Sequence, residues 1–374
     1  MSMSRIQNGL RLVGQNGTMY TLLSPLARRN HPHVWRACQS DNERDEIIIK
    51  HPPDDTDPEK RSFQREMNMQ KLFKPSRFIR KMTDTIPASS DLPEMMVLEP
   101  FEKTLWSART KRPLAIWEIK YIMKATLLGL QEIHKQGLVY CDFKMENVLL
   151  NGFNNDAATE DQEVVGRMRV KIADLGSVMA PDRGDVTSLT YRSPEVYFKK
   201  PWTSAIDIWA WGIVYFHLIQ AQINFSAPGI YDSIIKNTTL AQKAKAVQAS
   251  QIHDFNLQEN EYFEGCDFSV VKEVDLAFEE EHWTDRLIAR GVPEYDVVFL
   301  YAVLEPDPTK RMIAEDIFAT GVFGCLPGIK SISFPPKSSQ DRSHDSCSNH
   351  VRAGTGTPPS PASAFLSPLI ILQG

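Results

Sequence analysis

Two apolar runs, Leu138-Val139-Tyr140 and Val148-Leu149-Leu150, bracket a segment that carries Asp142, Lys144, Glu146 and Asn147. Runs of this kind read as short buried strands, so the polar groups between them must share one loop. Further on, Val170-Lys171-Ile172-Ala173 leads directly into Asp174-Leu175-Gly176, which sets another carboxylate at the end of another short strand. An acid, a cation and an amide on one loop, with a second acid beside it, is a donor set suited to phosphate chemistry. Such chemistry needs a positioned hydroxyl, a cation against the phosphate charge, and oxygens that hold a divalent metal. Only a chain that folds back on itself several times can bring these segments together.

The chain is long enough to do so. Its 374 residues, 42% hydrophobic and 24% charged, can bury a large core as one big domain or two lobes. A formal charge of −5 gives no general drive toward nucleic acid or an anionic membrane. The five cysteines are odd in number and scattered, without the paired spacing of a disulfide framework or zinc site. The first thirty residues contain no secretory apolar core, and no run reaches the ~18 apolar residues that span a bilayer. These features imply a reducing compartment, hence an intracellular protein, cytoplasmic or nuclear, with neither nucleic acid nor membrane as partner.

Strand formers broken by turn residues predict strands over 20–23, 34–38 and 47–50. Helical spacing of Phe63, Met67, Met69 and Leu72 predicts one helix over 59–73, and Met95 to Leu98 is a compact apolar run. Past Pro100 the pattern turns mainly helical, notably over 115–136, and the polar, acidic stretch 151–166 reads as an exposed loop. From about 330 to 367, Ser, Pro, Thr and Gly dominate with few large apolar residues, which predicts a disordered tail. Its Thr357-Pro358, Ser360-Pro361 and Ser367-Pro368 pairs offer sites to proline-directed kinases, though such pairs arise readily in any Ser/Pro-rich linker.

The Asp142-x-Lys144-x-x-Asn147 loop resembles the catalytic loop of eukaryotic protein kinases, and other segments agree with it in order. Asp174-Leu175-Gly176 matches the Asp-Phe-Gly motif with Leu in the Phe place. Tyr191-Arg192-Ser193-Pro194-Glu195 is similar to the end of the activation segment, and the helix around Asp207-Ile208-Trp209 and the later Arg311 follow. The resemblance spans about 20–323 and implies an α+β, bilobal protein-kinase fold. A small β-rich N-lobe with one main helix (about 20–99) would join a larger, mainly α-helical C-lobe (about 102–323), with a 1–19 extension before and a 324–374 tail after.

The resemblance also implies roles. Asp142 would accept the proton of the substrate hydroxyl, Lys144 would neutralise phosphate charge and favour Ser/Thr as acceptor, and Asn147 and Asp174 would hold Mg²⁺. Ser188 stands where a hydroxyl lies near the catalytic Asp, Asp207 would hold the catalytic-loop backbone, and Arg311 would pair with Glu195. Lys50, at the end of Glu46-Ile47-Ile48-Ile49-Lys50, would pair the α and β phosphates of ATP. Glu66 is the best candidate for its partner, with a surface-helix glutamate as the bland alternative. Leu26, Val34 and Leu149 would enclose the base, and Glu99 and Phe101 would offer hinge backbone groups.

Some positions depart from that pattern. Aligning 26–37 on the Gly-rich loop puts Ala27, Arg29 and Pro32 at its three glycine positions, which should weaken or re-route backbone contacts to phosphate. Gly14 and Gly17 lie outside that register and read as a turn. Ile48 replaces a small residue expected against the adenine and should narrow that pocket. Tyr140-Cys141 stands where His-Arg is expected, so the arginine that grips a phosphorylated activation segment is missing. Cys141 reads as a buried inert thiol.

Two functions are therefore expected in competition. One is an ATP-dependent serine/threonine protein kinase that phosphorylates a protein substrate, and the other is a pseudokinase serving as a binding or scaffold module. The long stretch between Asp207 and Arg311 offers a docking place for a regulatory protein at the C-lobe, and packing helices account for it equally well.

Overall fold

The computed structural model describes residues 6–27, 31–39, 45–53, 56–232, 234, 239–276, 278 and 280–324. The expected tail therefore lies, apart from Gly324, outside the described residues. So do Arg28 and Arg29 of the glycine-free turn.

The N-terminal lobe is an antiparallel sheet of β1 (Arg11–Val13), β2 (Met19–Ala27), β3 (His31–Gln39), β4 (Glu46–Lys50), β5 (Met82–Ile86) and β6 (Met95–Leu98), in the order β1-β2-β3-β4-β6-β5. Each predicted strand is present, and the sheet starts earlier, at β1, because Gly14 and Gly17 close a turn that folds Arg11–Val13 onto β2. Pro25 can sit in β2 because β1 pairs only with Met19 to Thr21, leaving the later part of β2 bonded on one side. β5 has no apolar alternation to betray it, since the buried Asp84 interrupts it. That carboxylate accepts the Tyr20 phenol at 3.0 Å.

Helix α1 (Asp57–Leu72) crosses one face of this sheet, packing Phe63 and Met67 against Ile48, Met96 and Leu98. Between α1 and β5 the chain touches the other lobe: Ile172 N donates to Phe78 O and Arg80 N to Ile172 O, both at 2.8 Å. The chain then leaves the sheet at Leu98 and, past Pro100, enters a smaller sheet of β7 (Lys103–Thr104), β8 (Val148–Asn151) and β9 (Arg169–Ile172).

The C-terminal lobe is helical: α2 (Leu105–Arg109), α3 (Ile116–His134), α4 (Gln162–Val165), α5 (Pro194–Tyr197), α6 (Ala205–Ile223), α7 (Leu240–Asp254), α8 (Val270–Glu273), α9 (Trp283–Ala289), α10 (Glu294–Val303) and α11 (Ala314–Ala319). Helix α4 interrupts the acidic stretch read as a loop. Asp161 caps it and Val165 is buried beneath it. Helix α6 is buried nearly all round, as a helix with apolar residues on every side must be. A Cβ on its Gly212 would come within 2.7 Å of Leu304, so only glycine admits the close approach of α10. The two-lobed α+β arrangement expected from the resemblance is the one observed, and the polar segments meet where the lobes join.

Candidate active site

The loop between α3 and β8 is built around a buried anchor. Cys141 adopts φ +67°, a left-handed conformation unfavourable for a residue with a Cβ. Asp207, fully buried on α6, holds it there: its carboxylate accepts Tyr140 N at 2.7 Å and Cys141 N at 2.9 Å, with His134 Nε2 at 2.8 Å. The buried Tyr140 phenol donates to the Ala173 carbonyl, which ties this loop to the residue preceding Asp174.

With the backbone fixed, four polar side chains converge. Lys144 Nζ lies 2.7 Å from Asp142 Oδ2 and 3.3 Å from Ser188 Oγ, and Ser188 donates to Asp142 Oδ1 at 3.1 Å. Asn147 Nδ2 donates to the Asp142 carbonyl and to Oδ2, both at 3.0 Å. The acid thus has both oxygens in defined bonds, and its neighbours are a cation, an amide and a hydroxyl.

Facing this cluster, Asp174 takes φ +55° at the end of β9 and turns its half-exposed carboxylate toward Lys50, whose Nζ lies 3.2 Å away. Lys50 also bonds both Glu66 oxygens at 2.8 Å, so the sixteen-residue spacing lets strand and helix meet. Burial alone would lower the Lys50 pKa, but the charges of Glu66 and Asp174 outweigh it and hold it above the ordinary lysine value. Burial would likewise raise Asp174, yet Lys50, the Gly176 N–H and Lys144 together bring its carboxyl below the usual range. Both groups are therefore charged at neutral pH.

A further cation, Arg80, was not singled out in the sequence. It lies between the isolated Ile79 bridge and β5, and lines the cleft beside Lys50, Glu66 and Leu98. Its Nε donates to the Glu99 carbonyl at 2.8 Å. Burial pulls its guanidinium down to about 10, while Glu99, Glu66 and Asp174 keep it protonated at neutral pH. The Glu99 carboxylate points the other way, to Lys171 at 2.7 Å and to Arg169, whose guanidinium lies over the Phe101 ring.

The segment from Asp174 to Glu195 is tethered by its own residues. Arg192 donates to Val186 O, to Thr187 O and to Asp185, and Lys199 also reaches Asp185. Thr187, β-branched and at φ +63°, is retained in that unfavourable conformation by the Arg192 bond. Beneath it, Arg311 and Glu195 form a fully buried bidentate pair at 2.8 and 3.1 Å, and the remaining Arg311 donors go to the carbonyls of Ala205, Glu305 and Pro306.

Lys50, Glu66, Arg80, Lys144, Asn147, Asp174 and Ser188 line one cleft of about 740 Å³, within the range of small-molecule sites. Leu26, Val34, Leu98 and Leu149 give it an apolar end, and Lys50, Glu66, Asn147, Lys144 and Asp174 a charged one. Ile48 is packed among Phe63, Met67, Met96 and Leu98 instead of lining the cleft. Of the expected residues, Asp142, Glu99 and Phe101 are not among those that line it, Asp142 being joined to the cleft through Lys144, Asn147 and Ser188. Thr104, Trp106, Leu240 and Lys243 line it without any warning in the sequence, because they arrive from elements whose packing no local pattern encodes. Among the described residues no cluster of three His, Cys, Asp or Glu side chains could hold a metal alone. Asn147 and Asp174 instead form the sparse oxygen set that suits Mg²⁺ when phosphate oxygens and water complete its shell.

Comparison with known proteins agrees with this geometry. The protein kinase domain family matches residues 32–323. Similar curated proteins include the dual specificity protein kinase YAK1 homolog of Arabidopsis thaliana, 35% identical over 28% of this chain and 10% of that protein. The DNA damage response protein kinase DUN1 of Saccharomyces cerevisiae is 29% identical over 34% of this chain and 27% of its own length. Cyclin-dependent kinase G-1 of Oryza sativa subsp. indica is 27% identical over 46% of this chain and 24% of its own length. The chain thus spans between about a tenth and about a quarter of these three relatives.

Proposed function

The chain belongs to the protein kinase domain family, and on that premise we propose that it is a serine/threonine protein kinase that uses ATP and Mg²⁺ on a protein substrate. The observation that carries this reading is that the bonded set Lys50, Glu66 and Asp174 shares one cleft with Lys144, Asn147 and Ser188, all three of which are bonded to Asp142. The presence of these charged groups in bonded contact supports the reading.

Bound MgATP supplies the γ-phosphoryl group and the metal charge that offsets its oxygens. Asp142 orients the acceptor hydroxyl and takes its proton. Lys144, 2.7 Å from that carboxylate, balances charge where the phosphoryl group arrives. Asn147 and Asp174 hold the metal, and Lys50, kept in place by Glu66, faces the phosphates. Leu26, Val34 and Leu149 enclose the base. The scattered cysteines and the absence, among the described residues, of a helix long and apolar enough to cross a membrane fit an intracellular place of action.

A second reading, a pseudokinase that binds partners without transferring phosphate, draws on Arg80, which already occupies the Glu99 carbonyl at the apolar end of the cleft. Thermal stabilisation by MgATP, followed by autophosphorylation of the wild type against Asp174→Asn, separates the two. The kinase reading expects Mg²⁺-dependent stabilisation and labelling that the substitution abolishes. A wild-type chain neither stabilised nor labelled would sink it.

A further inference from the structure

We propose that Arg80 sets the base preference of the cleft, so that guanine nucleotides bind at least as well as adenine nucleotides. This rests on the nucleotide reading above and deepens it.

The apolar end of the cleft offers few polar groups. Leu26, Val34, Leu98 and Leu149 can enclose a flat ring but cannot tell one purine from another. Purines differ at position 6, where adenine carries an amino donor and guanine a carbonyl acceptor. A base seated beside Leu98 therefore reports its identity to whatever polar group lies past that residue.

Two such groups are there, the Glu99 carbonyl and the Arg80 guanidinium, and they are bonded to each other at 2.8 Å. Nε takes one of the two lone pairs of that carbonyl, so the acceptor that would welcome an amino group is already partly engaged. The two terminal nitrogens of Arg80 take no hydrogen bond among the described residues, and Arg80 lines the cleft beside Leu98, Lys50 and Glu66. The unused capacity of Arg80 itself is thus all donor. It matches the guanine oxygen and opposes the adenine amino group, donor against donor. Glu66 and Asp174 keep the guanidinium charged, which strengthens a bond to an acceptor.

A base-edge bond of this kind discriminates by roughly tenfold, about 1.4 kcal/mol. Titration calorimetry of the full chain with MgATP and MgGTP reads the ratio of the two dissociation constants directly, without reference to turnover. The wild type is expected to bind GTP at least as tightly as ATP, and Arg80→Met, which keeps the length and loses the donors, to shift the ratio about tenfold toward ATP. Arg80→Lys, with the charge but no planar fork, should shift it part of the way and serves if the Met variant does not fold. The wild-type ratio needs no variant at all. A wild type that prefers ATP tenfold or more overturns the assignment. An Arg80→Met chain that loses both nucleotides equally does so too, since it makes Arg80 a phosphate anchor instead. If neither nucleotide binds the wild type, the nucleotide reading itself fails and takes this inference with it.

Discussion

Asp207→Asn isolates what holds the catalytic loop in shape. The carboxylate is fully buried and accepts two adjacent backbone N–H groups, one on each oxygen, with His134 on the second. Asparagine has the same size but only one acceptor oxygen, so one of the two N–H groups must face an NH₂. A buried donor left without a partner costs about 1–3 kcal/mol, and the surviving bond loses its charge assistance, about 1 kcal/mol more. Against this, Cys141 could relax from φ +67° and recover roughly 1–2 kcal/mol of backbone strain. Taken at the midpoints, the net expectation is a loss of about 1.5 kcal/mol. Urea denaturation measures the total, and amide hydrogen exchange reads the two residues: Tyr140 and Cys141 should be protected in the wild type, and one of them should lose protection in the variant. An Asp207→Asn chain within about 0.5 kcal/mol of wild type, with both amides still protected, would refute the reasoning and mean that the loop holds its own strained turn.

The pair Glu195 and Arg311 is buried without any exposure, so Arg311→Ala should cost about 3–5 kcal/mol, while the double change Glu195→Leu/Arg311→Met should cost clearly less than the two single changes added, as a double-mutant cycle would read. Asp174 has its carboxyl depressed in the fold, so the unfolded chain binds the proton more readily. Its contribution is complete above the unfolded value of 3.8 and is lost as pH falls through the lower folded value. Urea midpoints followed down from pH 5 should therefore fall more steeply for wild type than for Asp174→Asn. Cys141 is buried, and burial, with Asp207 and Asp142 adding to it, drives its thiol far above the ordinary range. Peptide mapping after iodoacetamide at pH 8 should find it unmodified in the native chain while the half-buried Cys266 is labelled.

The charged half of the site was legible because it is local. Asp142, Lys144 and Asn147 share one loop, and a short apolar strand on each side announces where that loop must sit. Lys50 and Glu66 were legible for a related reason, since one ends a strand pattern and the other falls on a helical one. Arg80 was hidden by its surroundings. It follows Phe78-Ile79 in a stretch with no alternation, and its role comes from Glu99, which is brought alongside only when β5 pairs with β6. The buried Asp84 obscures β5 as well, and with it the strand that follows Arg80. Leu240 and Lys243 were out of reach for a different reason. They lie on α7, and nothing in a helix reports which distant cleft its first turn will border.

The two departures near the catalytic loop have one physical consequence. Tyr140, standing where a histidine was expected, donates to the Ala173 carbonyl and so ties the loop to the residue that follows β9. Cys141 brings no cation to grip an added phosphate, and the segment it would have gripped is held without one: Arg192 and Lys199 converge on Asp185, Tyr197 donates to Leu189 O, and Gln251 donates to Arg192 O. The Asp185 carboxylate and several carbonyls of the segment are thus already paired with neighbouring side chains, without a phosphate. Lys50, Glu66 and Asp174 are likewise already in contact. With both the segment and the ion pair set in advance, the base selection proposed for Arg80 is the step left to vary.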